Sequence, residues 1–299
     1  MNYTIFYTDY WYVVIVAAIM ILSGYAAHYH ITSHIYNGLK CIIPNKKWLL
    51  VILSMLGGIL PIKGRVVASA GMFDIMMGRD TNSRLRPKFG ILNYIATHHY
   101  YMWSPLEKTV LIPMAVLNLT YLQVLGYTWP LLLISLLVLF GYIAWGMRDI
   151  NDFELHTPID CEKVKFPNPL KFITWGTLVW VYAAVILGNI AKEYNSVLMA
   201  WIDSHHGNFF LVSLTAFVAS WIMGSSGKFA GIVASLCAIY GIEYLTYFMA
   251  IEFAGYLISP AHKCTVISCK YFNTPVKEYA TALLIWAGLI VIYGVVSIL

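Results

Sequence analysis

Charge is scarce in this sequence. Only 11% of its 299 residues are Asp, Glu, Lys or Arg, while 60% are hydrophobic; an ordinary soluble domain carries about 25% charged residues. So few charges cannot cover a water-facing surface, and a mean hydropathy of +0.71 directs the chain to a bilayer as an integral membrane protein. Cysteine is scarce too. The residues at 41, 161, 237, 264 and 269 form neither a CxxC pair nor a zinc spacing, which removes a disulfide framework and reads them as packing residues. Nucleophile elbow, paired-carboxylate and dinucleotide motifs are missing, and Gly-Ser-Ser-Gly-Lys at 224–228 lacks the Walker spacing and its following Ser/Thr. The expectation is therefore no enzyme, no cofactor and no resident metal. The formal charge of +5 is mostly loop lysine and arginine, which reports orientation in a membrane rather than a nucleic-acid partner.

What the chain does have is long apolar runs, at 10–29, 48–62 with 66–77, 91–104, 107–127, 129–147, 172–191, 209–223 with 228–240, 242–258 and 279–299. The first has no basic region before it and no small-residue cleavage site after it, so it is expected to stay in the mature protein. Two of the runs are pairs whose arms are each too short to span about 30 Å of hydrocarbon. Each pair is interrupted by a glycine-and-cation tip, "PIKGR" at 61–65 and "GSSGK" at 224–228, the pattern of a re-entrant hairpin.

Cations test this reading, because they gather on the cytoplasmic side. Lys40, Lys46 and Lys47 precede the first hairpin and Arg79, Arg84, Arg86 and Lys88 follow it, so it enters from the cytoplasm and returns there, leaving the amino terminus outside. Segment 107–127 then crosses outward and 129–147 returns, placing the 148–171 loop inside. The flanks of the second hairpin hold a single lysine, which suits the outer side, and Lys263, Lys270 and Lys277 lie inside again. Opposite entry of the two hairpins predicts an inverted repeat. "YMWSPLEKTVLI" at 101–112 indeed lies over "YLISPAHKCTVI" at 256–267, sharing Tyr-x-x-Ser-Pro-x-x-Lys at an offset of 155 residues.

The fold class expected is thus an all-α polytopic membrane protein of two inverted-topology repeats, each a helix, a re-entrant hairpin, a Ser-Pro-broken helix and a helix. Repeat one covers 1–150, with its hairpin at 48–77 and broken helix at 91–127; repeat two covers 151–299, with its hairpin at 208–240 and broken helix at 242–272.

Chemistry follows from these breaks. A helix that begins just after a tip, at Val66 or Phe229, points free N–H groups and its positive dipole end at the tip and favours an anion there. Lys63, Gly64, Arg65 and Ser69 at the first tip, and Ser225, Ser226, Gly227 and Lys228 at the second, are the candidate substrate-binding residues; the structural alternative is snorkelling of the tip cations, or pairing of Lys228 with Glu243. The Ser-Pro breaks free carbonyls that suit a cation, so Ser104, Ser259, His262 and its repeat counterpart Glu107 are candidates for a coupling-ion or proton path. Asp74 and Glu252, inside apolar runs, are expected to pair with a cation or carry a proton. His98 and His99, being adjacent, point to different faces of a helix, one toward the path and one into the aromatics around it. His28, His30 and His34 read as a solvated interfacial cluster, because no further ligand stands near the His30/His34 spacing.

At these residues the chain resembles the ion transporter superfamily, the clan of citrate, dicarboxylate, arsenite and gluconate permeases, and within it an uncharacterised prokaryotic permease-like family. The resemblance is carried by "LPIKGRVVASA", "LNYIATHHYYMWSP", "WIMGSSGKFAGIVAS" and, most specifically, "GYLISPAHKCTVISCKYF". It implies two hairpin-bearing repeats with substrate held between tips and helix breaks, on Gly64, Ser69, Ser225, Ser226, Ser104 and Ser259. Only one helix precedes each hairpin here, fewer than is usual in that clan, and Lys63 and Arg65 replace small residues at the first tip.

Together these readings predict a secondary transporter of a small anion, an organic carboxylate, working by alternating access with Na+ or H+ coupling in a prokaryotic cytoplasmic membrane. Its partners would be membrane lipid, the substrate, and either a second copy or another membrane subunit, with no nucleic acid. The competing expectation is a non-transporting, transporter-like subunit that docks to a partner protein. An intramembrane enzyme or metal protein rests only on scattered histidines.

Overall fold

A computed structural model describes residues 41–59, 85–148, 168–173, 175–194 and 208–299, together with isolated positions between 13 and 39 and at 69, 196, 197 and 200. Among the described residues the regular structure is all helical. Helix α1 is Lys46–Ile59. Helix α2, Arg86–His98, runs on through a 3-10 turn, His99–Met102. After it come α3, Lys108–Leu117, and α4, Tyr121–Gly141, whose last turn loosens into a π-helical turn over Tyr142–Gly146. Helix α5 is Trp175–Glu193; α6 and α7 are Phe209–Met223 and Ser226–Tyr240. Three helices complete the chain: α8, Leu245–Leu257, α9, Lys263–Tyr271, and α10, Val276–Val296.

Two stretches of this succession share one local grammar, 155 residues apart. In the first, Glu107 caps α3 in an extended conformation and its amide donates to Ser104 O at 3.0 Å; in the second, His262 caps α9 and its amide donates to Ser259 O at 3.1 Å. Each serine hydroxyl then accepts from the backbone two residues on, Ser104 Oγ from Leu106 N at 3.3 Å and Ser259 Oγ from Ala261 N at 3.1 Å. Proline cannot continue the helix, so the serine supplies the acceptor that the missing turn would have supplied.

Both short helices also stop the same way. Asn118 (φ 53°) and Asn273 (φ 49°) are the positive-φ non-glycine residues among those described. The residue after each donates back five positions, Leu119 N to Met114 O and Thr274 N to Cys269 O, each at 3.0 Å. This is a left-handed helix stop, for which asparagine is tolerated because its short polar side chain bonds locally. The long helices begin next, α4 at Tyr121 behind a reciprocal capping box of Thr120 and Gln123, and α10 at Val276. They are the two described helices long and apolar enough to cross a membrane, Tyr121–Gly146 and Val276–Val296.

Here the structure moves one boundary. The sequence pattern ends one segment at 127 and begins the next at 129, but Thr128 lies inside α4, and the break stands at 118–120. Asn118 and the Thr120 box decide it: both satisfy orphan backbone groups at the helix ends, whereas Pro130 lies in the middle of α4 and does not end it.

Helices α2 and α8 form the centre. Every residue of α8 is buried, as is α2 from Phe89 to His98. Helix α1 packs on α2, α6 and α10 on α8, and α7 lies against α3 and α5. The first pair of crossings shares a register. Thr97 and Tyr100 of the first stretch meet Gly58 of α1; Glu252 and Gly255, their counterparts 155 residues later, meet Ser220 and Phe217 of α6. A Cβ on Gly255 would stand 2.7 Å from Phe217 O, and Ser220 Oγ donates to Glu252 O at 2.8 Å, so the two backbones touch with almost no side chain between them.

By contrast, the outer faces of α4, α6 and α10 expose Leu122, Trp129, Leu133, Leu137, Phe140, Phe210, Leu214, Ile222, Leu284, Leu289 and Ile292, an apolar surface larger than a water-soluble monomer carries. One end of the bundle is tied by cations to helix C-termini: Lys47 Nζ donates to Met147 O at 2.8 Å and Arg86 Nη2 to Tyr271 O at 3.2 Å. These charges offset the negative end of the helix dipole.

The α6–α8 crossing is testable. Gly255→Leu forces a side chain against a backbone carbonyl and should cost about 2 kcal/mol or more, seen as a lower thermal-unfolding midpoint in detergent, whereas Leu284→Ala on the exposed face of α10 should change stability by no more than about 0.5 kcal/mol and leave the midpoint nearly unchanged.

Candidate functional site

The helix ends that precede the two Ser-Pro breaks meet in the buried centre of the bundle. Tyr101 closes α2 and Tyr256 closes α8; they are counterparts at the 155-residue offset, and their hydroxyls lie 2.7 Å apart. Their rings meet edge-on at 5.3 Å. Both side chains are buried, so the hydroxyls satisfy each other where water does not reach.

Around this pair stands an aromatic and imidazole cluster from both stretches. His98 stacks on Tyr94 at 3.9 Å and meets His262 edge-on at 5.3 Å, while His262 packs on Tyr256 at 4.0 Å. Tyr94 organises the group. Its backbone carbonyl lies 2.7 Å from His98 Nδ1 and its hydroxyl 2.7 Å from His262 Nδ1, and the same hydroxyl accepts from Thr265 Oγ1 at 3.1 Å. One ligand atom each from His98, His262 and Cys264 lie within 4.8 Å of one another.

The turn between α6 and α7 abuts the second break. Gly224, in the left-handed region at φ 52°, ends α6, and a Cβ there would stand 2.7 Å from Ala261 C and 2.8 Å from both His262 N and Ser259 Oγ. Ser259 Oγ also donates to Trp221 O. This contact brings the N-terminus of α7, capped by Ser225, beside the N-terminus of α9, capped by His262. Two positive helix ends thus lie close together.

The residues singled out in the sequence fall as follows. Lys63, Gly64, Arg65 and Asp74 lie outside the described residues. Ser69 is described and buried. Ser225, Ser226, Gly227 and Lys228 form the cap and first turn of α7, so the helix starts at Ser226, three residues before the expected Phe229, and Lys228 stands in its first turn. The reason is local: with Gly224 in the left-handed region, the chain reverses in two residues, and Ser225 O accepts from both Lys228 N and Phe229 N at 3.2 Å. Ser104 and Glu107 are buried at the first break, Ser259 and His262 at the second. Glu252 is buried on α8, and its carboxylate oxygens have no hydrogen-bond partner among the described residues.

The adjacent histidines do separate. His98 joins the cluster, whereas His99 stacks on Trp103 and accepts from its indole N–H at 2.9 Å. Sequence reasoning did not place Tyr94, Tyr101, Tyr256 or Cys264 in a site. For Tyr101 and Tyr256 the signal was present, since each opens its copy of the Tyr-x-x-Ser-Pro match; for Tyr94 and Cys264 no spacing pointed to it.

Residues 5–153 match a protein family described as "Protein of unknown function (DUF401)", so the first half of the chain is similar to that family. No curated protein and no solved structure matches the chain.

The tyrosine pair gives a double-mutant cycle. Tyr101→Phe and Tyr256→Phe should each cost about 1–2 kcal/mol by removing the buried hydroxyl–hydroxyl bond, while the double variant should cost less than the sum by on the order of 1 kcal/mol. Additive losses in thermal or chemical unfolding would remove the hydrogen bond from the account.

Proposed function

We propose that this chain is a secondary active transporter of a small anion, an organic carboxylate, built as two inverted repeats and lying in a prokaryotic cytoplasmic membrane with its amino terminus outside. The observation that carries the reading is the 155-residue correspondence of helix, Ser-Pro break, short helix, left-handed asparagine and long apolar helix, with the counterparts Tyr101 and Tyr256 in contact. Counterparts touch where an axis relating two halves passes between them, and broken helices near such an axis are where secondary transporters bind substrate. The contacts at the cationic end agree with the orientation. Lys47, Arg86, Lys88 and the 147–148 turn, all assigned to the cytoplasmic side by charge, are joined there through Met147, Tyr271 and the Tyr142 hydroxyl, which donates to Lys88 O at 3.1 Å.

In this reading the second tip, Gly224 to Lys228, is a re-entrant hairpin tip and pairs with the first tip at Lys63, Gly64 and Arg65. Lys63, Arg65 and Lys228 neutralise the substrate, and Ser225, Ser226, Ser69 and the backbone at Gly64 and Gly227 coordinate it. Ser104, Ser259, Glu107 and His262 line the path of the coupling Na+ or H+. Glu252 joins them as a buried carboxyl that can carry a proton.

One observation favours the other reading, a non-transporting subunit that docks to a partner. The seam between the breaks is filled by Tyr94, His98, Tyr101, Tyr256 and His262, all buried, and transport requires that these rings part.

Uptake of labelled anions into liposomes separates the two. The native protein should accumulate a carboxylate, and Arg65→Ala or Lys228→Ala should lower uptake about tenfold, the equivalent of about 1.4 kcal/mol of lost binding. Glu252→Gln should flatten its dependence on an imposed proton gradient. Equal uptake by native protein and both cation variants would sink the site assignment, and no uptake across a broad anion panel would favour the docking subunit.

A further inference from the structure

We propose that His98, His262 and Cys264 form a binding site for a transition-metal ion of the Zn2+ class at the seam between the two halves. The three side chains converge from separate places: His98 from the last turn of α2, His262 from the cap of α9, and Cys264 from its first turn. One ligand atom of each lies within 4.8 Å of the others, with both histidines buried and Cys264 half-buried. Zn–N bonds of about 2.0–2.1 Å and a Zn–S bond of about 2.3 Å place tetrahedral ligands about 3.3–3.8 Å apart. Side-chain rotation of about an ångström therefore closes the site, without a move of either helix. Two imidazoles and a thiolate are a donor set for zinc and its neighbours rather than for magnesium or calcium, which take oxygen.

The surroundings hold these ligands as metal sites hold theirs. A carbonyl only accepts, so at 2.7 Å from Tyr94 O, His98 Nδ1 carries the proton and Nε2 presents its lone pair. His262 Nδ1 faces the Tyr94 hydroxyl, which in turn faces Thr265 Oγ1. The Tyr94 hydroxyl accepts from Thr265 Oγ1; with His262 Nδ1–H also donating to Tyr94 Oη, the Nε2 of His262 keeps its lone pair. A partner on the far ring nitrogen fixes tautomer and orientation and strengthens the ligand, and here a single residue, Tyr94, supplies that partner to both histidines. Three protein ligands leave a fourth position for water or an anion. On binding, the Cys264 thiol proton leaves to solvent as the sulfur–metal bond forms, so one proton is released per ion. Because its ligands come from both halves, the ion joins them across the seam. The ligand set is read from the geometry of these three side chains and not from the transport reading, in which the same His262 borders the coupling path.

The test uses the full chain in detergent, with Zn2+ and Co2+ as the probes. After equilibration and desalting, the native protein should keep one more zinc per chain than Cys264→Ser or His262→Gln, and should release a proton as it binds. Co2+ should give a thiolate-to-metal charge-transfer band that vanishes in Cys264→Ser and persists in Cys41→Ser, whose cysteine is exposed. Cys264→Ser changes one half-buried atom and carries the test if a histidine variant fails to fold. Equal zinc retention by native protein and Cys264→Ser, or a cobalt spectrum without a band sensitive to Cys264, overturns the site.

Discussion

The hydroxyl groups of Tyr101 and Tyr256 meet where neither can reach water, and the geometry of that contact depends on both helices stopping at matched points. A helix that continued past residue 103 or 258 would carry its tyrosine away from the centre. Proline three residues beyond each helix end prevents continuation, and the serine before it supplies the acceptor that the lost turn would otherwise have supplied. In an apolar surrounding this supply is obligatory, because a backbone amide with no partner costs several kcal/mol. The same bookkeeping recurs at Asn118 and Asn273, where a left-handed residue closes the short helix, and at Thr120, whose box opens the next.

Close backbone approach then follows from small residues at the crossings. Gly58 against Thr97, and Gly255 against Phe217, let α1 and α6 lie directly on the two central helices, and Ser220 adds a hydrogen bond where they touch. Between helices in lipid, such packing and hydrogen bonding replace the hydrophobic drive that holds soluble helices together. What remains between the breaks is polar aromatic: tyrosine and histidine, each with an apolar body to pack and a polar edge to satisfy. That mixture lets a seam so fully buried still carry polar groups.

Much of the fold was legible along the chain. The Tyr-x-x-Ser-Pro match marked both breaks at their true offset, and the chain does turn at Gly224 and Ser225, between α6 and α7. The boundary near 128 was misplaced because a hydropathy run does not distinguish one helix from two, whereas Asn118 and the Thr120–Gln123 box do so through hydrogen bonds that hydropathy ignores. Lys228 was likewise set at the tip rather than inside the first turn, because a two-residue reversal at Gly224 is a matter of φ and not of composition.

The sequence by itself determined where helices must break, because proline, positive-φ asparagine and capping side chains act on their immediate neighbours. It also determined that two stretches 155 residues apart obey the same rules. Only the tertiary structure decided which of these residues meet. His98, His262 and Cys264 share no spacing, and Tyr94 reaches both histidines from a different helix than the one bearing His262; convergence across 164 residues depends on how α2 and α9 pack, which no local pattern contains.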